Sequence, residues 1–192
     1  MKKIIMMLLV LMTSVCVLSG CGGYKGDVLK DFPMGMTRAE TVKKADKEFG
    51  EKNRELFKFP TAPYRETIKV DSIEDSRYIV YEVDSFWDCE GEVLFTFDEK
   101  SGFDESADEE SVTLIRVVFT TKPSKSRQKE YDAFLKDFKK HYGEPQEEIQ
   151  LPYTIGATWL VDGTKIALMQ LKAGSGDDYQ EVVGTYYTPI EE

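Results

Sequence analysis

The 192-residue chain is 41% hydrophobic and 31% charged, with a formal net charge of −10. That composition excludes global disorder, and a surface this negative repels phosphate backbones, which argues against nucleic-acid binding. The first twenty residues read as an export leader. Their removal, with Lys2 and Lys3, leaves 172 residues at a charge of −12, enough for one substantial core or for two small repeats sharing one.

Met1-Lys2-Lys3 is a positive start, and residues 4–18 form an apolar run. The run is short for a bilayer-spanning helix, which needs roughly 20 residues. A cleaved leader is therefore expected rather than an uncleaved anchor helix. Small residues follow in Leu18-Ser19-Gly20-Cys21, as a signal peptidase requires. This segment resembles the lipobox of bacterial lipoproteins. The resemblance implies cleavage between Gly20 and Cys21 and acylation of Cys21, which then holds the chain at the extracytoplasmic face of a cell membrane. Buried methylenes contribute about 0.8 kcal/mol each, so two or more acyl chains anchor stably. Gly22, Gly23 and Gly26 make residues 21–27 a flexible tether, and the negative body is expected to stand off negative headgroups.

With Cys16 lost and Cys21 acylated, only Cys89 remains, so no intramolecular disulfide and no cysteine-based zinc cluster is possible. Cys89 lies between Asp88 and Glu90, which raise a thiol pKa. It reads as a buried small hydrophobe.

Residues 28–192 are expected to form one α+β domain. A first helix is predicted over 38–49, with Thr37 and Glu40 as a capping box and Ala39, Val42, Ala45 and Phe49 on one face; Gly50 ends it. A second is predicted over 126–142, where Tyr131, Phe134, Leu135, Phe138 and Tyr142 share a face. Lys136, Lys139, Lys140 and His141 suit its carboxyl end, and Gly143 and Pro145 stop it. Strands are predicted at 64–71, 77–87, 93–97, 112–121, 157–161, 165–171 and 181–188, all rich in Val, Ile, Phe, Tyr and Thr. Glu90-Gly91 and Asp162-Gly163 read as hairpin turns.

The halves echo each other. Each has a helix ending in an aromatic-Gly-Glu step, then a tryptophan (Trp87, Trp159), an acid-Gly turn, an apolar strand and a closing strand. The expected architecture is two helix-plus-antiparallel-sheet repeats, about 28–122 and 123–192, with helices on one face of a β-meander.

The stretch Pro33-Met34-Gly35-Met36-Thr37-Arg38-Ala39-Glu40 resembles the Gly-Met-Thr segment of the SmpA/OmlA outer-membrane assembly lipoproteins. The resemblance implies the small α+β fold they share with tandem-repeat β-lactamase inhibitor proteins, with residues 28–32 as a short first helix. It carries no functional residue across.

Chemistry is sparse. No nucleophile elbow, zinc motif or phosphate loop is present. His141, the single histidine, reads as a solvent-facing helix-end residue. The acidic stretch 98–110 lacks EF-hand spacing and reads as a solvated loop rather than a calcium site. Tyr78, Tyr81, Tyr186 and Tyr187 are candidate protein-binding residues, because an antiparallel sheet can leave one face free and neighbouring strand residues face opposite sides. The expectation is a membrane-anchored, non-catalytic protein-binding or scaffold module without a cofactor. Its alternatives are a small-ligand or cell-wall receptor, needing an aromatic-lined pocket, and a carboxylate-based hydrolase, needing close buried acids.

Overall fold

The capping box at Thr37 is formed. Its hydroxyl accepts the Glu40 N–H at 3.3 Å, and the Glu40 carboxylate accepts the Thr37 N–H at 3.3 Å and its hydroxyl at 2.8 Å. The structure, a computed structural model, describes residues 24–58, 68–99 and 112–190. A short helix α1 (Val28–Asp31) precedes α2 (Arg38–Ala45), which runs on as a wide turn (Asp46–Gly50) and a 3-10 turn (Glu51–Asn53). Gly50, at φ 86°, redirects the chain in a conformation that favours glycine. Arg38, Thr41, Val42, Ala45 and Phe49 are buried, and Ala39, expected on that stripe, is exposed. The stripe is rotated because the Arg38 guanidinium is drawn inward, donating to the Ser76 carbonyl at 2.8 Å.

Eight strands form one antiparallel sheet: β1 (Arg54–Phe57), β2 (Tyr78–Phe86), β3 (Cys89–Glu99), β4 (Val112–Thr121), β5 (Glu147–Leu151), β6 (Thr154–Val161), β7 (Thr164–Ala173) and β8 (Gln180–Pro189). Their order is β1-β2-β3-β4-β8-β7-β6-β5. Helix α3 (Gln128–Tyr142) joins β4 to β5 and buries Tyr131, Phe134 and Phe138.

Several sequence expectations are corrected. β1 and β5 fall outside the strands expected from sequence; both are short, acid-containing edge strands whose signal is weak. Of the strand expected at 64–71, residues 64–67 lie outside the described residues, and within 68–71 Lys69 makes a single bridge to Phe57. The β2–β3 turn is Trp87-Asp88, not Glu90-Gly91, with φ of 50° and 65°. Gly91 is instead inside β3, where a Cβ would lie 2.1 Å from the Thr120 carbonyl oxygen. Trp87 is thus a turn residue and Trp159 a strand residue, so the two are not equivalent. Asp162-Gly163 does form the β6–β7 turn, at φ 47° and 74°.

Trp87 holds a backbone conformation that is strained for a bulky residue. Its ring offsets that strain: it stacks on Phe134 at 5.8 Å, meets Phe138 edge-on at 5.0 Å, and donates from Nε1 to the Gly26 carbonyl at 3.3 Å. Phe138 is fully buried and also touches Trp159 at 5.5 Å, Tyr142 at 5.5 Å and Tyr187 at 6.4 Å. Phe32, Phe49, Tyr81 and Phe95 pack together under α2, and Phe86, stacked on Phe119 at 4.4 Å, joins them to α3.

The chain is already part of the body at Tyr24. Its N–H donates to Ser85 O at 3.0 Å, its carbonyl accepts from Trp87 N–H at 2.7 Å, and its hydroxyl donates to Asp31 at 2.9 Å. Asp27 caps α1 by accepting Leu29 N–H at 3.1 Å. Residues 24–27 are therefore held, which shortens the tether expected over 21–27; residues 21–23 lie outside the described residues.

Phe138→Ala removes the ring shared by both tryptophans and Tyr187. It is expected to destabilise the domain by about 3–5 kcal/mol, measured by urea unfolding followed by circular dichroism.

Candidate protein-binding face

Strand parity divides the four candidate tyrosines. Tyr81 and Tyr187 are fully buried in the core and are corrected from binding candidates to packing residues. The Tyr81 hydroxyl donates to Asp46 at 2.8 Å, and Asp46 is also paired with Arg54. Burial and the Asp46 contact raise the Tyr81 pKa far above the phenol range, and burial does the same to Tyr187. Tyr78 and Tyr186 have the opposite parity and are half-buried on the second face of the sheet. Among the described residues, every ring contact that the helical segments make with the sheet falls on the first face, at Tyr81, Phe86, Phe95, Phe119, Trp159 and Tyr187, or on the Trp87 turn.

The register builds the second face row by row. Its middle row takes one residue from each strand: Glu55, Val80, Leu94, Val118, Tyr186, Ala167, Thr158 and Glu147. From Val80 to Thr158 that row carries no charge, over about 24 Å at the usual strand spacing. The next row is Glu82, Glu92, Thr120, Gly184, Met169, Gly156 and Ile149. Glu82 and Glu92 are directly opposed, which is unfavourable; Lys122 Nζ, 3.7 Å from Glu82, relieves it.

Two glycines shape this surface. A Cβ on Gly184 would lie 3.0 Å from the Tyr186 ring, and one on Gly156 would lie 2.4 Å from Met169 Sδ. Their absence lets the Tyr186 ring and the Met169 thioether lie down over the sheet. On the other side of the middle row, Arg116, Lys165, Leu160 and Ile190 line a groove of about 500 Å³. Leu160 and Ile190 are 52% and 43% exposed, large values for such residues at the rim of an apolar row. None of the described residues that line this groove is aromatic, whereas a small-ligand pocket is lined largely by hydrophobic and aromatic side chains.

One buried carboxylate escaped the sequence reading. Glu181 is 6% exposed and accepts the Arg127 N–H at 2.8 Å, Gln170 Nε2 at 2.6 Å and the Tyr179 hydroxyl at 2.5 Å; Lys172 lies 3.8 Å away. It ties the amino-terminal end of α3 to β7 and β8, where a negative charge suits the helix dipole. Burial pushes its pKa up, but Tyr179, Arg127, Gln170 and Lys172 outweigh it and hold the group below the ordinary carboxylate value. An acid poised for proton donation would be raised instead. Counting back in twos from Tyr187 gives Thr185, Val183 and Glu181, so an inward charge at that parity was the available signal.

Cys89 is half-buried, and its thiol pKa is raised by burial, then by Glu130 and Asp88 against the opposing Arg127. His141 is exposed at the end of α3, edge-on to Trp87 at 6.3 Å. Of the acidic stretch 98–110, residues 100–110 lie outside the described residues, as do Gly20 and Cys21. Among the described residues no cluster of His, Cys, Asp and Glu could hold a metal ion, and no helix is long and apolar enough to cross a membrane. Protein-family models, curated protein sequences and solved structures were compared with the chain, and none matches it.

A carboxylate whose folded pKa is depressed stabilises fully above its unfolded value and loses that contribution as pH falls through the folded one. Glu181→Gln is therefore expected to cost stability at pH 7, on the order of 1–3 kcal/mol for hydrogen bonds to a charged group. The gap to the unsubstituted chain should close as pH falls below the carboxylate range. Urea unfolding at pH 7, 5 and 3 measures it, and a gap independent of pH would contradict the assignment.

Proposed function

We propose that this chain is a lipid-anchored extracytoplasmic binding module without catalysis, whose second sheet face docks a protein partner. Acylation at Cys21 after cleavage behind Gly20 supplies the anchor. The body is taken as two helix-plus-four-strand repeats, α2 with β1–β4 and α3 with β5–β8, meeting at β4 and β8. Their helices cover the first face and leave the second to a partner. The Gly-Met-Thr resemblance at residues 33–40 agrees with this architecture.

The observation that carries the proposal is the middle row, six uncharged residues wide with charges at its ends, in which Val118, Ala167 and Thr158 are buried and Val80, Leu94 and the central Tyr186 reach solvent. An apolar strip with a charged rim is the composition of a recognition surface. A flat tyrosine offers contact area at low entropy cost. The receptor alternative has less support, because the described residues lining the groove at Arg116 and Lys165 include no aromatic side chain. The hydrolase alternative has less still, because the buried acid Glu181 is held ionised by its donors.

Photo-crosslinking residues placed separately at Tyr78, Tyr186 and Lys136 test the proposal in intact cells. Tyr78 and Tyr186 are expected to give one common adduct of the same mass, and Lys136, exposed on α3, none. Leu94→Lys, which puts a charge into the middle row, is expected to abolish the Tyr186 adduct while leaving the unfolding midpoint within the usual surface range of about 0.5 kcal/mol. The same adduct from all three sites would refute the assignment of the face.

A further inference from the structure

Tyr24 fixes where the anchored chain enters the domain. It packs on the helix side of the sheet, stacked on Phe86 at 5.0 Å and edge-on to Phe49 at 5.5 Å. Next to it the Gly26 carbonyl accepts from Trp87, and Asp27 accepts the Tyr142 hydroxyl at 3.4 Å. Only Gly22 and Gly23 separate Tyr24 from Cys21. Three backbone steps reach at most about 11 Å. A headgroup layer takes roughly 5–8 Å of that, leaving about 3–6 Å, roughly one to two layers of water.

We infer that the surface around Lys25, Trp87, Lys140 and His141 rests on the lipid headgroups of the anchoring bilayer, and that the sheet face bearing Tyr78 and Tyr186 is turned away from it. This rests on the acylation of Cys21 proposed above, and it replaces the stand-off expected from net charge alone. The contact surface is a shallow depression of about 180 Å³, lined by those residues with Asp88 and Asp137. The half-buried Trp87 indole is the kind of side chain that settles at headgroup level. Lys25 and Lys140 are exposed and reach phosphates on flexible stems. Lys25 also pairs with Asp88 at 2.7 Å, and two lysines against two aspartates make the depression close to neutral in a chain of net charge −10.

The second face carries the less favourable charge for such contact. Glu55, Glu82, Glu92, Glu147 and Asp98 stand there against Arg116, Lys165, Lys122 beside Glu82 and Lys69 beside Glu55, a small acidic excess that an anionic surface disfavours. Tether length selects the orientation, and the charge balance does not oppose it.

The test uses the full acylated chain on vesicles of phosphatidylethanolamine and phosphatidylglycerol doped with a nickel-chelating headgroup lipid. In a Cys89→Ser background, one nitroxide is placed at Lys140→Cys or at Leu160→Cys, exposed positions on opposite sides of the sheet. Nickel is expected to relax the nitroxide at 140 several-fold more than the one at 160. A Gly-Ser insertion of about twenty residues between Gly23 and Tyr24 should erase the difference. In the unlabelled chain a headgroup quencher should dim Trp87 and spare the buried Trp159. A chain that sediments with vesicles but relaxes equally at both sites, or more at 160, overturns the orientation alone. A chain that does not sediment with them overturns the acylation of Cys21 and the orientation together.

Discussion

Four residue pairs join the two halves of the sheet: Val117 with Tyr187, Val118 with Tyr186, Phe119 with Thr185 and Thr120 with Gly184. Strand side chains alternate between faces, so a slip of one residue at this seam would exchange every inward group for an outward one. Phe119 and Tyr187 would leave the core, and Tyr186 would have to enter it. The seam holds because its inward members are gripped elsewhere. Phe119 lies between Phe86 and Phe134, and Tyr187 lies against Phe138. The core, the row on the second face and the groove beside it all depend on this one register.

Helix α3 is the element that enforces it. Its apolar stripe reaches strands of both halves, with Phe134 on Phe119 and Phe138 on Trp159 and Tyr187. Glu181 fixes its amino-terminal end through the Arg127 N–H, and the Trp159 indole donates to the Gly143 carbonyl at 2.9 Å at its other end. A helix held at both ends to strands of one sheet cannot shift by a turn without breaking buried polar contacts, which are costly to leave unmade. The Trp87 turn closes over the same helix, which is how a strained backbone persists there.

The same packing bears on function. By holding Tyr24 between the sheet and the helices, the first face takes the approach of the amino-terminal chain to its own side. The proposed partner face then lies on the opposite side, behind the thickness of the sheet. An anchored binding module needs that separation, because a docking surface pressed against its own membrane meets no partner.

Much of this was legible from the residues. The helix caps at Thr37 and Gly143, the apolar stripe of α3, most strands and the Asp162-Gly163 turn follow from local spacing and backbone preference, which act over a few residues. Two kinds of feature were not legible. Short edge strands such as Arg54–Phe57 and Glu147–Leu151 pair on one side only, so their composition is barely biased, and the Trp87-Asp88 turn puts a bulky tryptophan at positive φ, where such residues are found only when packing compels them. Parity was the larger gap. Tyr186 and Tyr187 are adjacent and chemically identical, and only the pairing of β4 with β8 and the seating of Phe138 decide which is core and which is surface. The sequence by itself determined helices α2 and α3, most of the strands and the Asp162-Gly163 turn, because those follow from local spacing and backbone preference. The tertiary structure alone decided which side of each strand is free, because that choice belongs to long-range pairing.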